Sequence, residues 1–174
     1  MKIAASVLAA ASFAILASAT VVLAHAKTPQ QLSAKVGGQL FESDDDGILY
    51  LIPTKGVFNL IASTKGASAY PPPTALSDRL SIICRNFDGK PIKYLAKDFG
   101  NHGCEARFIK GESKKPFGDP VAEFDARDGK NMIEITAVNG KVIEGKFYFE
   151  MKDIKTKAPL GISEGTFKAE DRQR

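Results

Sequence analysis

Apolar and polar positions alternate with a period of two over most of this chain, and past Lys27 there is hardly a helical period anywhere. Leu32, Ala34 and Val36 alternate with Ser33 and Lys35, and Gly37-Gly38 then offers a two-residue hairpin turn. Leu40 and Phe41 begin a return strand that stops at Asp44-Asp45-Asp46-Gly47. Residues 48–52 form an apolar run ended by the turn Pro53-Thr54-Lys55-Gly56, and residues 57–62 read as the next strand. Residues 63–77 are the one long loop, holding Tyr70-Pro71-Pro72-Pro73, with a short helix read over 74–79. Strands follow at 80–84, 92–95, 104–109 and 121–124.

The last third alternates most cleanly. Residues 132–138 lead into Asn139-Gly140, a hairpin signal because both residue types tolerate positive φ. On the next strand Ile143, Gly145, Phe147, Phe149 and Met151 share one face, while Glu144, Lys146, Tyr148, Glu150 and Lys152 share the other. One side is therefore buried and one wet. Residues 162–169 close the chain with Gly165, Phe167 and Ala169 inward. So many half-buried strands, about ten of them, predict an all-β single domain: an antiparallel β-sandwich, with a barrel as the alternative closure.

The first 26 residues stand apart. Lys2 is a positive start, residues 3–24 are almost wholly apolar, and Ala24-His25-Ala26 places small residues where a signal peptidase reads them. The segment reads as a cleavable signal peptide with the mature domain at 27–174, periplasmic or secreted. An uncleaved membrane anchor is the competing reading; cleavage leaves no membrane span. No Cys lies near the cleavage point to carry a lipid.

Charge adds little. The net is +4, Lys2 being the only charge in the leader, and acids and bases are interspersed. A nucleic-acid interface needs a basic stripe interleaved with aromatics, and none is present. The excess favours a neutral or acidic partner, either an exported protein or an anionic envelope polymer. Cys84 and Cys104 are the only cysteines. An even pair in an exported chain predicts a disulfide, and each Cys is in phase with the apolar positions of its strand. A metal site of Cys84, Cys104 and His102 lacks a fourth ligand and the C-x-x-C spacing.

The stretches Ile133-Glu-Ile-Thr136, Asn139-Gly140, Ile143-Glu-Gly-Lys-Phe-Tyr-Phe149 and Ile162-Ser-Glu-Gly-Thr-Phe167 together resemble the ending of a family of small exported bacterial β-sandwich proteins of unassigned function, many of them lipoproteins. The opening Ala34-Lys-Val-Gly-Gly-Gln-Leu-Phe41 and the central Leu80-Ser-Ile-Ile83 and Gly89-Lys-Pro-Ile-Lys-Tyr94 are similar to theirs as well. The resemblance implies fold and compartment, and transfers no catalytic residue. This chain departs from it in lacking a lipid-bearing Cys.

No G-x-S-x-G, H-E-x-x-H or glycine-rich phosphate loop is present. His102, with Asp98 nearby and a Ser from elsewhere, is the one constellation for a small hydrolase. Asp44-Asp45-Asp46-Gly47 has contiguous acids rather than the alternating ligands of a calcium loop, so a polar turn is the simpler reading. Tyr70 to Pro73 is the candidate binding loop, because polyproline geometry presents an aromatic stiffly. The sequence thus predicts a non-enzymatic binding or structural protein without cofactor or metal. An inhibitor or immunity-type protein that inserts a loop into a secreted enzyme is the alternative.

Overall fold

The computed structural model describes residues 29–71, 76–100, 102–112 and 120–173, and there the chain is all-β, with an 11-stranded sheet whose ladders are antiparallel. The leader at 1–26 and Pro72 and Pro73 of the candidate loop lie outside the described residues. In chain order the strands are β1 (Gln31–Val36), β2 (Gln39–Ser43), β3 (Ile48–Thr54), β4 (Gly56–Ser63), β5 (Ser77–Phe87), β6 (Ile92–Leu95), β7 (Cys104–Glu112), β8 (Ala122–Asp125), β9 (Met132–Asn139), β10 (Val142–Asp153) and β11 (Pro159–Glu170). Hydrogen bonding runs β2-β1-β11-β10-β8-β7-β5-β4-β3, with β9 on β10 and β6 on β9. One continuous sheet curls nearly into a barrel, so of the two closures the alternation allowed, the barrel-like one is adopted. Length is the reason: β5, β10 and β11 span 11, 12 and 12 residues, long enough for a single sheet to coil over its own core.

Turn chemistry follows the residues. Gly37 and Gly38, at φ 57° and 81°, join β1 to β2. The second hairpin is displaced by one residue from its sequence signal: Asn139 pairs with Val142, so the two loop residues are Gly140 and Lys141. The helix read over 74–79 is also corrected, since β5 already begins at Ser77 and Arg79 sits in register between Ser63 and Ile109. Ladder bonds on both sides outcompete a one-turn helix.

The core is aromatic and reciprocal. Gly145 lies opposite Phe167, and Phe147 lies opposite Gly165, so each ring occupies the space above a residue with no side chain. Phe147 and Phe149 stack at 5.3 Å, and Phe147 and Phe167 at 6.3 Å. Burying each such ring contributes about 1.5–3 kcal/mol. Strict alternation does not give this arrangement, because Ile162 and Gly165 are both buried yet three residues apart. A bulge at Ser163-Glu164, with Glu164 at φ 53°, slips the register opposite Tyr148 and brings Ile162 and Phe167 to the same side.

The barrel closes through side chains. Past the end of β11, a single parallel bridge, Tyr50 to Asp171, links to β3. Beside it the buried Gln30 donates from Nε2 to the carbonyls of Ile48 (3.1 Å) and Asp45 (3.2 Å), while its Oε1 accepts from the Glu170 amide (2.8 Å). Arg172 grips Asp45 with both terminal nitrogens, at 2.8 and 2.6 Å, which holds its guanidinium still more firmly protonated. A second seam is a fork. β10 pairs with β9 over Val142 to Tyr148 and with β8 only at Lys152 and Asp153. Across the gap the buried Asn131 accepts from the Glu150 amide (3.0 Å) and donates to the Ala126 carbonyl (3.2 Å). It thereby replaces the missing ladder bonds.

Candidate functional site

Cys84 and Cys104 are direct partners in the β5–β7 ladder, with Cα atoms 4.0 Å apart, and they form a disulfide in the core. Both sulfurs are spent on that bond, so neither is a nucleophile or a metal ligand here.

The acidic turn proves to be a scaffold. Asp44 accepts from the Gly47 amide through Oδ1 (3.1 Å) and from the Gly66 amide through Oδ2 (2.9 Å). Asp45 holds Arg172 and the Gln30 amide, and the Asp46 carbonyl accepts from the Ser68 hydroxyl (3.1 Å). The carboxylates of Asp44 and Asp45 thus point to separate tasks. Among the described residues, no group of three or more His, Cys, Asp or Glu is placed to hold a metal ion. The candidate loop is tied to this turn through Gly66 and Ser68, and its base is held to β2 and β5 as Lys65 N donates to the Glu42 carbonyl (2.7 Å) and Thr64 N to the Asp78 carbonyl (2.9 Å). Beyond that anchored base Tyr70 stands 96% exposed, joined to Pro71 by a cis peptide bond. Turn and loop lie some 20 residues apart in sequence, and no local signal couples them.

Segment 96–103 returns from β6 to β7 and so spans the two arms of the fork. Phe99 docks edge-on against Phe149 at 5.9 Å, and Gly100 N donates to the Cys104 carbonyl (3.0 Å). His102 is exposed on this segment. Asp98 uses Oδ2 to accept from the Leu95 amide (2.8 Å), and among the described residues no hydrogen bond links it to His102.

Concavities flank the segment and meet at Gly100. The first, of about 460 Å³, is lined by Ile61, Ile83 and Ile109 together with Arg79, Arg107 and Arg127. Arg107 pairs with Glu123 at 2.8 Å and Arg127 with Asp125 at 3.0 Å. The second, of about 540 Å³, gathers Arg85, Lys93, Lys97 and His102. Tyr94 lines it too, its phenol pushed up to about 12 by burial and by the charges of Asp88 and Asp98. Nearby, burial opposes ionisation of Glu134, but hydrogen bonds from Lys93 and Lys146, each 3.3 Å away, win and lower its pKa. Neither concavity is legible in the sequence, because their linings draw on β4, β5, β6, β7, β8 and the connecting segment, which lie in distant stretches of the chain.

The outer surface of the sheet is uneven. On β10 and β11 it carries opposed charges, with Glu144 paired to Lys168 at 3.0 Å. Over β3, β4, β5 and β7 the outward positions mix Leu49, Leu51, Val57, Ile61, Ile83 and Ile109 with Ser63, Arg79, Ser81, Arg85, Glu105 and Arg107; Leu49 pairs with Ile61, while Ile83 lies between Asn59 and Glu105 and Ile109 lies opposite Arg79. Asn59 sits among them between Leu51 and Ile83, its side-chain oxygen buried and without a hydrogen-bond partner among the described residues. An outward sheet face normally takes polar residues, so this face departs from the pattern that β10 and β11 obey. No family profile, curated protein or solved structure matches this chain.

Proposed function

We propose that the protein is an exported, non-enzymatic binding protein of the bacterial envelope whose partner is another exported protein. One observation carries this reading, the six aliphatic side chains on the outer face of β3, β4, β5 and β7. A curved pleated surface that carries aliphatic side chains among basic ones is complementary to an amphipathic segment of another protein. Arg79 and Arg107 stand among these aliphatic side chains, Arg127 lines the same concavity, and the net charge is +4, so the fitting partner combines aliphatic and acidic side chains. The disulfide supports an oxidising compartment, as do the leader signal and the resemblance of the hairpin residues to small exported proteins.

The test is site-directed photo-crosslinking from position 83, with the captured protein then purified and rebound. Micromolar binding that is lost in Ile61→Asp and kept in Glu150→Ala supports the reading. Equal binding by both variants refutes it. Tyr70 favours a second reading, an inhibitor-type protein that inserts this exposed aromatic into an enzyme cleft. In that case Tyr70→Ala, and not Ile61→Asp, abolishes capture.

A further inference from the structure

We infer that the cleft beside segment 96–103 is an anion site for a phosphoryl group, a function beyond the docking of a protein partner. Its cations come from three parts of the fold: Arg85 from the end of β5, Lys93 from β6, and Lys97 and His102 from the connecting segment. Among the lining residues, Arg85, Lys93 and Lys97 face one carboxylate, Asp98, and that carboxylate is engaged by the Leu95 amide.

The neighbouring acids cancel only part of the excess. Glu134 is shared between Lys93 and Lys146, so one carboxylate serves two ammonium groups. Glu105 takes only Nη1 of Arg85 (2.8 Å), which also reaches the Gly103 carbonyl (3.3 Å). The remaining donors of that planar fork have no partner among the described residues, and they suit two oxygens of one anion. Asp88 is paired to Lys90 at 3.8 Å.

Arg85, Lys93, Lys97 and Lys146 against Asp98, Glu105 and Glu134 leave a surplus of about one positive charge, and a phosphoryl group, which carries about −1.5 to −2 at neutral pH and three acceptor oxygens, engages more of these donors than a single carboxylate does.

The experiment is an amide-detected NMR titration of the disulfide-bonded chain with inorganic phosphate, with nitrate as a monoanion control. Saturable shifts confined to residues 85–86 and 92–103, absent with nitrate, are expected, and Lys97→Ala should weaken binding about tenfold. His102→Gln is a second variant on the same rim. A third arm uses a poly(glycerol phosphate) chain. Tighter binding per phosphate than the free ion assigns the site to a polymer-borne group, and equal binding assigns it to a small phosphate. Shifts spread equally over Lys35, Lys55 and Lys168, or binding unchanged in Lys97→Ala, overturn the inference.

Discussion

Adding a single methyl group at Gly165 tests the packing on which the whole barrel depends. A Cβ there would lie 2.5 Å from Cδ2 and Cε2 of Phe147 and 2.6 Å from its carbonyl oxygen. The ring has no room to yield, since Phe147 is buried and stacked between Phe149 and Phe167. The carbonyl belongs to the β10 backbone, held in the sheet between β9 and β11. Overpacking of this kind costs about 1–3 kcal/mol and sometimes more, and involvement of backbone puts Gly165→Ala near about 3 kcal/mol. For a domain of this size that is a fall in Tm of about 6–12 °C.

The control lies on the same strand. A Cβ at Gly161 would meet no heavy atom within 4 Å, so Gly161→Ala should stay within about 0.5 kcal/mol of wild type. The assay is urea unfolding of the oxidised protein followed by far-ultraviolet circular dichroism, with the slope m compared between variants. Adding Phe147→Leu to Gly165→Ala should cost less than the two changes separately, because the smaller side chain relieves the clash. If Gly165→Ala proves as benign as Gly161→Ala, the reciprocal glycine–phenylalanine packing is wrong.

Gln30→Ala leaves the Ile48 carbonyl and Glu170 amide without their clasp, at a cost of about 2–4 kcal/mol, and hydrogen exchange at Glu170 should accelerate well beyond that at Phe147. Replacing both Cys84 and Cys104 by Ala opens a loop of sequence separation 20 and should lower stability by roughly 3 kcal/mol, read as a lower urea midpoint. Asp153 is held below the ordinary carboxylate range by the backbone amide of Thr156 first and that of Lys155 next. Its lowered folded pKa gives stability that is present above the unfolded value of about 3.9 and is lost as pH falls through the folded value. Asp153→Asn should therefore flatten the acid limb of a stability–pH profile below about pH 4, and an unchanged limb would contradict that account.

Period-two alternation was enough to place the strands and their inward faces, because a pleated strand turns every second side chain the same way whatever its partners. Ile143, Phe147, Phe149 and Met151 are buried as their spacing requires. The Cys84–Cys104 bond was legible for the same reason, each Cys being in phase with its apolar neighbours. The short-range signals failed where a longer ladder competed, as at Ser77 to Arg79, or where a hairpin shifted by one residue, as at Gly140-Lys141. The bulge at Ser163-Glu164 has no comparable sequence mark, since a glutamate at positive φ is set by its surroundings.

The candidate sites divide in the same way. Tyr70 was marked by its prolines, and its exposure followed. The acidic turn was read correctly as a turn, yet its purpose, to anchor Gly66 with Asp44 and Arg172 with Asp45, depends on contacts between residues 22 and 127 positions apart. By itself the sequence determined an all-β, disulfide-linked chain, because alternation, turn residues and cysteine phase are local properties. Only the tertiary structure decided that one sheet closes on Gln30 and Arg172, forks at Asn131, and gathers Arg85, Lys93, Lys97 and His102 into one cleft. Pairing between distant strands is set by the summed fit of the whole core, and no short stretch of residues encodes that sum.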